Sequence, residues 1–559
     1  MLKRDITMLN LDRNSTLLTE VTFARQRFAE VPHSLRSRLV GILLMFVAAG
    51  FPSAASAQMG QYDVSSFGAL GDGHTDDRAA LQLAINTVPS GATLTFGGPK
   101  KTFLIGGTLV FQPNRKYQGQ NSAIVMNKQV LGHPPIAKLK YGLSDNVTIT
   151  GLVFDGNGVA AGLQINVDGS TAIPVSNLQV TYDIFRNTTA SPAGAWEGAL
   201  FINGGLMNSV IANNQVINCG SGISIVNPNN VVVSDNSFET INVGNAISMT
   251  FYPAPFSYGQ GIQVLRNTGH HLGRMAIELW SSGTPSSVIS GATIADNAFS
   301  GWDVGLEAYP FGISVVAGQN MTLNHNKLLG GVRGWGIELA APSSTISENT
   351  IQGFDVGIAL NDSHHTSITG NLLTQLTSYG ILLANGPGSR SNLVIGNNII
   401  VNAKLAGIYI NSPDWGGSTI SGNLISRSAG NYQDDFQGSF TGVSVWPPNA
   451  PVTVSGNSIT QSSFAGPSTF VFTGIQVNGG SGANSSSSYS NNTVMSLFPL
   501  LQSVGLYGNS SGSLNGTVVQ GNNWSGLSSA SGGVGSPSVI SSGNLIYNCT
   551  QVGPTPVDR

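Results

Sequence analysis

Thirteen times between residues 214 and 544 the chain repeats the pattern apolar-x-x-Asn-x-apolar, and this repeat restricts its possible folds more than any other feature. The asparagines are Asn214, Asn236, Asn267, Asn297, Asn326, Asn349, Asn371, Asn397, Asn423, Asn457, Asn492, Asn522 and Asn544, with Gly269 in the second apolar place after Asn267. They span 330 residues in 12 intervals, a mean period of about 27, with single intervals from 22 to 35. Eight to ten residues after most anchors comes Gly-apolar-x-apolar, as in Gly222-Ile223-Ser224-Ile225, Gly357-Ile358-Ala359-Leu360 and Gly407-Ile408-Tyr409-Ile410. Each repeat therefore holds two or three period-2 strands and no helical periodicity. Such a unit cannot bury its apolar face alone, whereas stacked units lay each strand beside its counterpart one repeat later and close an apolar interior. Asparagines at one turn can then hydrogen-bond along the stack. The expected architecture is an all-β solenoid, a single-stranded parallel β-helix. Leucine-rich repeats need denser Leu and propellers a period near ~40–50, so both fit worse. Surplus residues in the longer intervals must leave the stack as loops.

Composition agrees. Charged residues are 9% of the chain against roughly 25% in typical soluble proteins. Glycine supplies 71 of 559 residues, and Ser and Asn are abundant, as many turns require. A net charge of −3 points to neither nucleic acid nor an anionic membrane as partner. Cys219 and Cys549, 330 residues apart, suggest no disulfide framework. At the N-terminus, Arg36 and Arg38 precede an apolar run of 13 residues, Leu39 to Phe51, and then Ala55-Ser56-Ala57 before Gln58. That order reads as a secretory signal cleaved near Ala57/Gln58, too short to span a bilayer, so the expected location is secreted or periplasmic. The expected organisation is 1–57 signal peptide, 58–135 N-terminal cap and first coils, 136–549 β-helix and 550–559 tail. Residues Thr75 to Asn86 read as a short capping helix that covers an exposed strand edge. Thr75 is its expected N-cap, Asp76 and Asp77 complement its dipole, and Leu81, Leu83, Ala84 and Ile85 form its apolar face.

Around that segment lie Asp63-Val64, Phe67-Gly68-Ala69, Gly71-Asp72-Gly73, Thr75-Asp76-Asp77 and Ala79-Ala80-Leu81-Gln82. Together they resemble the N-terminal signature of the pectate-lyase-like superfamily, in its rhamnogalacturonase/epimerase-like group. The resemblance implies a right-handed parallel β-helix and activity on a polysaccharide by hydrolysis, elimination or epimerisation. The polygalacturonase motifs Asn-Thr-Asp, Asp-Asp, Gly-His-Gly and Arg-Ile-Lys do not occur as a matching set after residue 140, nor does the alginate epimerases' Asp-Pro-His-Glu occur.

Glutamate placement is the sharpest local clue. After Gln58 there are six, Glu197, Glu239, Glu278, Glu307, Glu338 and Glu348, and three occupy the outward x of Gly/Ala-apolar-x-apolar on consecutive repeats. Ala276-Ile277-Glu278-Leu279, Gly305-Leu306-Glu307-Ala308 and Gly336-Ile337-Glu338-Leu339 are expected to stack Glu278, Glu307 and Glu338 in one column, at about 4.8 Å per rung. That spacing suits the paired carboxyls of either retaining or inverting glycosidases, and crowding raises one member's pKa. Trp280 and Tyr309 lie two residues beyond a column Glu, and Trp302 and Trp335 in the turns before two of these strands, as sugar platforms. Arg274, Asp303, Arg333 and His271 are expected to flank the same cleft.

Three readings follow. In the first, a secreted glycoside hydrolase uses Glu278, Glu307 and Glu338, aided by Asp303 and Arg274, with Trp280, Tyr309, Trp302, Trp335, Arg333 and His271 binding sugar and no cofactor. In the second, a polyuronide lyase or epimerase uses Arg274 or a nearby His as base, with the acids holding Ca2+. In the third, the β-helix is a non-catalytic glycan-binding surface protein whose exposed strand carries solvated Glu.

Overall fold

The computed structural model describes residues 60–549 except 140–145, 166–173, 190–197, 253–258, 283–288, 303–309, 331–332, 385–391, 413–414, 429–438, 447–450, 464–470, 479–486, 498–501, 509–516 and 534–539. The segment read as a signal peptide and the C-terminal tail therefore lie outside the described residues.

Alternation of polar and apolar residues over short runs sets the strands. In Thr345–Ser347 and Thr350–Gln352 the central Ile346 and Ile351 are buried while their neighbours are half-buried. The longer strand Trp335–Ala340 buries Ile337 and Leu339. Three such strands make one coil, and every strand pairs in parallel with its counterpart in the next, from Gln61–Asp63 on Thr93–Thr95 to Asn523–Ser525 on Leu545–Tyr547. Among the described residues, 35 strands form the faces on either side of the asparagine turn and 16 form the third. This is the parallel β-helix that the repeat predicts, and its interior is one continuous apolar core that includes the stacked pairs Phe154–Phe185 and Phe440–Phe472.

The asparagine turn is the fold's register device. The backbone N–H and Nδ2 of Asn326 both donate to Oδ1 of Asn349, at 2.9 and 3.0 Å, and Nδ2 also donates to the Ile294 carbonyl at 2.9 Å. The same three bonds recur from Asn214 up to Asn522, which bonds Asn544. One anchor is corrected: Asn398, not Asn397, is the ladder member, accepting from Asn371 and donating to Asn423. Both satisfy the sequence pattern, but Asn398 is the one that buries Ile395 and Ile400 and leaves Val394 and Ile399 outside. The residue before each anchor turns the corner with positive φ. Asp235, Arg266, Asp296, His325 and Glu348 take it on consecutive coils, and the Arg266–Asp235 ion pair (2.7 Å) and the His325–Glu348 contact (2.6 Å) link neighbours there.

The glycines of Gly-apolar-x-apolar have a packing reason. A Cβ on Gly336 would lie 2.3 Å from Ile351 Cγ2 and 2.7 Å from the Gly357 carbonyl oxygen. At Gly336 the neighbouring coils therefore approach too closely for a side chain.

A helix, Arg78–Thr87, packs against the first-coil strands with Leu81, Ala84 and Ile85 fully buried. Its details differ from expectation. Thr75 lies inside the strand Asp72–Asp76 rather than capping the helix, and Leu83 points to solvent. Asp77 sits at the N-cap position without a capping bond, because its carboxylate accepts the Leu70 and Gly71 N–H groups at 2.7 and 3.0 Å. The Asp76 carboxylate accepts from Gly106 N and Arg78 N, so both aspartates are structural. Cys219 and Cys549 are unbonded to each other. Among the described residues no helix is long and apolar enough to cross a membrane.

Candidate active site

Strand register decides which predicted residues meet. Ile277–Ser281 pairs with Phe311–Val316, and that strand with Trp335–Ala340, placing Glu278, Ser314 and Glu338 in one outward column. Glu278 and Glu338 thus share a face as expected, two rungs apart, with a serine between them. Glu307 is not the rung between. The coil contains two matches to the sequence pattern, and Gly312-Ile313-Ser314-Val315 is the one that enters the sheet. Glu307, Asp303 and Tyr309 lie outside the described residues. A Ca2+ cage of three stacked carboxylates would need a Glu at the Ser314 rung, and among the described residues no group of three or more His, Cys, Asp or Glu is placed to hold a metal.

The two glutamates have different surroundings. Glu278 is 6% exposed although its strand position faces outward. Its Oε2 accepts from Asn245 Nδ2 at 2.7 Å and Ser248 Oγ at 3.3 Å, and Nη1 of Arg274, four residues before it in sequence, stands 3.6 Å away. Asn245 is itself fixed, its Oδ1 accepting the Met275 N–H at 3.1 Å. Glu338 is half-buried and bridges its two neighbouring rungs, with Ser314 Oγ at 2.7 Å on Oε2 and Asn361 Nδ2 at 3.2 Å on Oε1. Burial raises its carboxyl above the ordinary range; the Ser314 and Asn361 bonds pull the other way, and the charge of Glu278 adds to the rise. A hydroxyl can donate or accept, so the Ser314 contact survives protonation of Glu338.

The predicted flanking residues divide. Trp280 is 36% exposed on the same face, edge-on to Tyr252 at 5.9 Å. Trp335 is half-buried and edge-on to Phe311 at 5.5 Å, and Arg333 is exposed in the turn before it. Trp302 is corrected from platform to core: it is buried against Phe354 at 5.1 Å, because its turn directs the indole inward. His271 is exposed on the neighbouring face, in Thr268–Leu272, with its ring 4.8 Å from that of His270. Sequence reasoning missed Asn245, Ser248, Ser314 and Asn361, the residues that hold the carboxyls. Ser224 and Ser248 precede Glu278 at the same pattern position, which is the signal that register would have turned into a column.

Parallel strands, an asparagine turn and two acids on one outer column define a solenoid with a carboxylate-bearing sheet face. A model for right-handed β-helix regions matches residues 276–459, and a model for the rhamnogalacturonase A/epimerase, pectate lyase-like family matches residues 61–307. Together the two matches support a pectate-lyase-like β-helix over residues 61–459. Similar solved structures include the A-module of a mannuronan C-5 epimerase from Azotobacter vinelandii, at 15% identity and TM-score 0.36, covering 87% of this chain and 99% of that one. A GH87 α-1,3-glucanase catalytic unit from Streptomyces thermodiastaticus also has 15% identity and TM-score 0.36, over 70% and 69% of the two chains. A mannuronic acid specific family 6 polysaccharide lyase from human gut microbiota has 12% identity and TM-score 0.40, over 66% and 86%. No curated protein matches by sequence.

Proposed function

We propose that the protein is an exported glycoside hydrolase that cleaves a polysaccharide with Glu338 as general acid and Glu278 as general base. The observation that carries this reading is the contrast between two carboxyls in one outward column: Glu338 raised by burial, Glu278 beside a guanidinium and an amide. Two rungs separate their backbones by about 10 Å. That backbone spacing is just above the roughly 6.5–9.5 Å between carboxyls in inverting enzymes, within reach of a small side-chain tilt, and well beyond the roughly 5–5.5 Å of retaining ones. Glu338 protonates the leaving oxygen, and Glu278 takes a proton from a water that attacks the opposite face of the sugar. The anomeric carbon–oxygen bond breaks as the new one forms, with inversion. Trp280 offers an apolar face beside Glu278. The lyase alternative asks Arg274 to act on a uronate, and its ion pair with Glu278 favours the hydrolase.

The test uses the secreted mature protein and a panel of neutral and uronate polysaccharides, following reducing ends and near-ultraviolet absorbance together. Glu338→Gln and Glu278→Gln should each lower hydrolysis about 10²–10⁴-fold, while Glu239→Gln, on a different face, should not. Undiminished cleavage by both variants, or unsaturated products, would sink the assignment.

A further inference from the structure

We infer that the substrate is an uncharged glycan whose sugar units beyond the cleaved linkage rest on a patch made by Tyr379, Leu382 and Tyr409. This rests on the reading of Glu278 and Glu338 as the catalytic pair. Past Glu338 the same outward column continues through Ala359, Leu382, Tyr409, Ser444, Gln476 and Tyr507. None of these residues carries a charge, over a length of ~29 Å at ~4.8 Å per rung. Three rungs beyond Glu338, the ring of Tyr409 stacks on that of Tyr379 from the preceding coil, centroids 4.8 Å apart and planes 13° apart. Both rings and Leu382 are half-buried, so each keeps surface on this face. Burial raises the Tyr379 hydroxyl, with Tyr409 adding to it, so the phenol stays a neutral donor and acceptor.

The charge pattern selects the ligand. A polyuronate brings one carboxylate per sugar, and along this run it would set those anions against Ala359, Leu382 and the tyrosine rings, losing hydration without gaining a cation from the described residues of the column. Arg274 is engaged by Glu278, and Arg333 and Lys404 lie in the turns before their strands rather than in the column. A neutral glycan presents C–H faces to the rings and hydroxyls to the phenols, the pairing that an amphipathic aromatic side chain suits.

The experiment is affinity electrophoresis of the mature protein carrying Glu338→Gln, in native gels containing laminarin, dextran, arabinose-free xylan, polygalacturonate or alginate. At least one neutral glycan should retard it, and neither uronate should. Adding Tyr379→Ala and Tyr409→Ala should weaken that retardation at least tenfold with the circular dichroism spectrum unchanged, and Tyr409→Phe should retain most of it. Leu382→Lys, a single change at a half-buried site, should create retardation by polygalacturonate. Equal retardation by uronates, none by any neutral glycan, or indifference to the tyrosine and Leu382 changes would overturn the inference. These outcomes are separate from the cleavage assay: full activity in Glu338→Gln overturns the glutamate assignment whatever the gels show.

Discussion

Replacing Asp183 by Asn should stabilise the protein, and by more at pH 7 than at pH 4. Asp183 takes the ladder position one coil before Asn214: its N–H donates to Asn214 Oδ1 at 2.9 Å, and its Oδ1 accepts the Leu152 N–H at 2.8 Å. Every Asn in the ladder adds two bonds through Nδ2, in Asn214 to Val180 O and to Asn236 Oδ1, both at 2.9 Å. At Asp183 that place is held by Oδ2, fully buried and without a partner. The register puts the Ile149 carbonyl and Asn214 Oδ1 where Nδ2 would donate, so an ionised Oδ2 would face acceptors only. Burial accordingly holds the carboxyl well above the ordinary carboxylate range, against the opposing pull of the Leu152 and Thr181 N–H groups. A protonated Asp183 can give one bond where Asn gives two, so the variant gains about 1 kcal/mol at pH 4 from the second. Because the folded-state pKa is raised, the parent's stability at this site is full below the unfolded pKa near ~4 and declines as pH rises, by up to about 1.4 kcal/mol per unit. The variant has no such slope. Guanidinium unfolding at pH 4, 5.5 and 7, followed by the fluorescence of the buried Trp415 and Trp524, reads the difference. A variant less stable than the parent at pH 7, or a gap that does not widen with pH, would refute the reasoning.

Three further outcomes follow from the geometry. Gly336→Ala should cost about 1–3 kcal/mol in the same unfolding assay, because its Cβ would meet Ile351 and the Gly357 carbonyl at 2.3 and 2.7 Å. Ser314→Ala removes a bond that lowers the Glu338 pKa; the alkaline limb of the pH–rate profile should move to higher pH, and a shift downward would contradict Glu338 as the acid. Cys219, its thiol pushed up to about 11 by burial, should resist iodoacetamide in the native protein at pH 8 and be labelled on unfolding, as peptide mass spectrometry would show.

The fold was legible because its signals are periodic and local. An Asn every coil and a Gly before most inward pairs name the ladder and the close approach; the ladder runs from Asn214 to Asn544, and Ala246, Ala276 and Ala530 replace the Gly on three coils. What was not legible depends on register. At residues 394–400 two adjacent asparagines satisfy one pattern, and only the burial of Ile395 and Ile400 chooses Asn398. In the coil from Asn297 to Asn326, Gly305-Leu306-Glu307-Ala308 and Gly312-Ile313-Ser314-Val315 compete, and the second pairs with Trp335–Ala340. Trp302 shows the same limit: a tryptophan in a turn reads as a surface platform until packing against Phe354 puts it inside. Asn245 and Asn361 were invisible for another reason, since each reaches its glutamate from a different coil, 33 and 23 residues away.

The serine between the glutamates also explains how a surface column can hold two acids. Like charges on adjacent rungs would oppose each other directly at about 4.8 Å and weaken the pairing. With Ser314 interposed, the two glutamates' backbones stand about twice as far apart, and Glu338 meets the Ser314 hydroxyl where it would have met another anion, while Glu278 is held by Ser248 from the preceding rung. Ser224, Ser248 and Ser314 are themselves nearly excluded from solvent, as is Glu278. Burial raises the Glu338 carboxyl, while a guanidinium and an amide stand beside Glu278. A column of three stacked glutamates would have supplied more carboxylate and less contrast, and acid–base chemistry depends on the contrast.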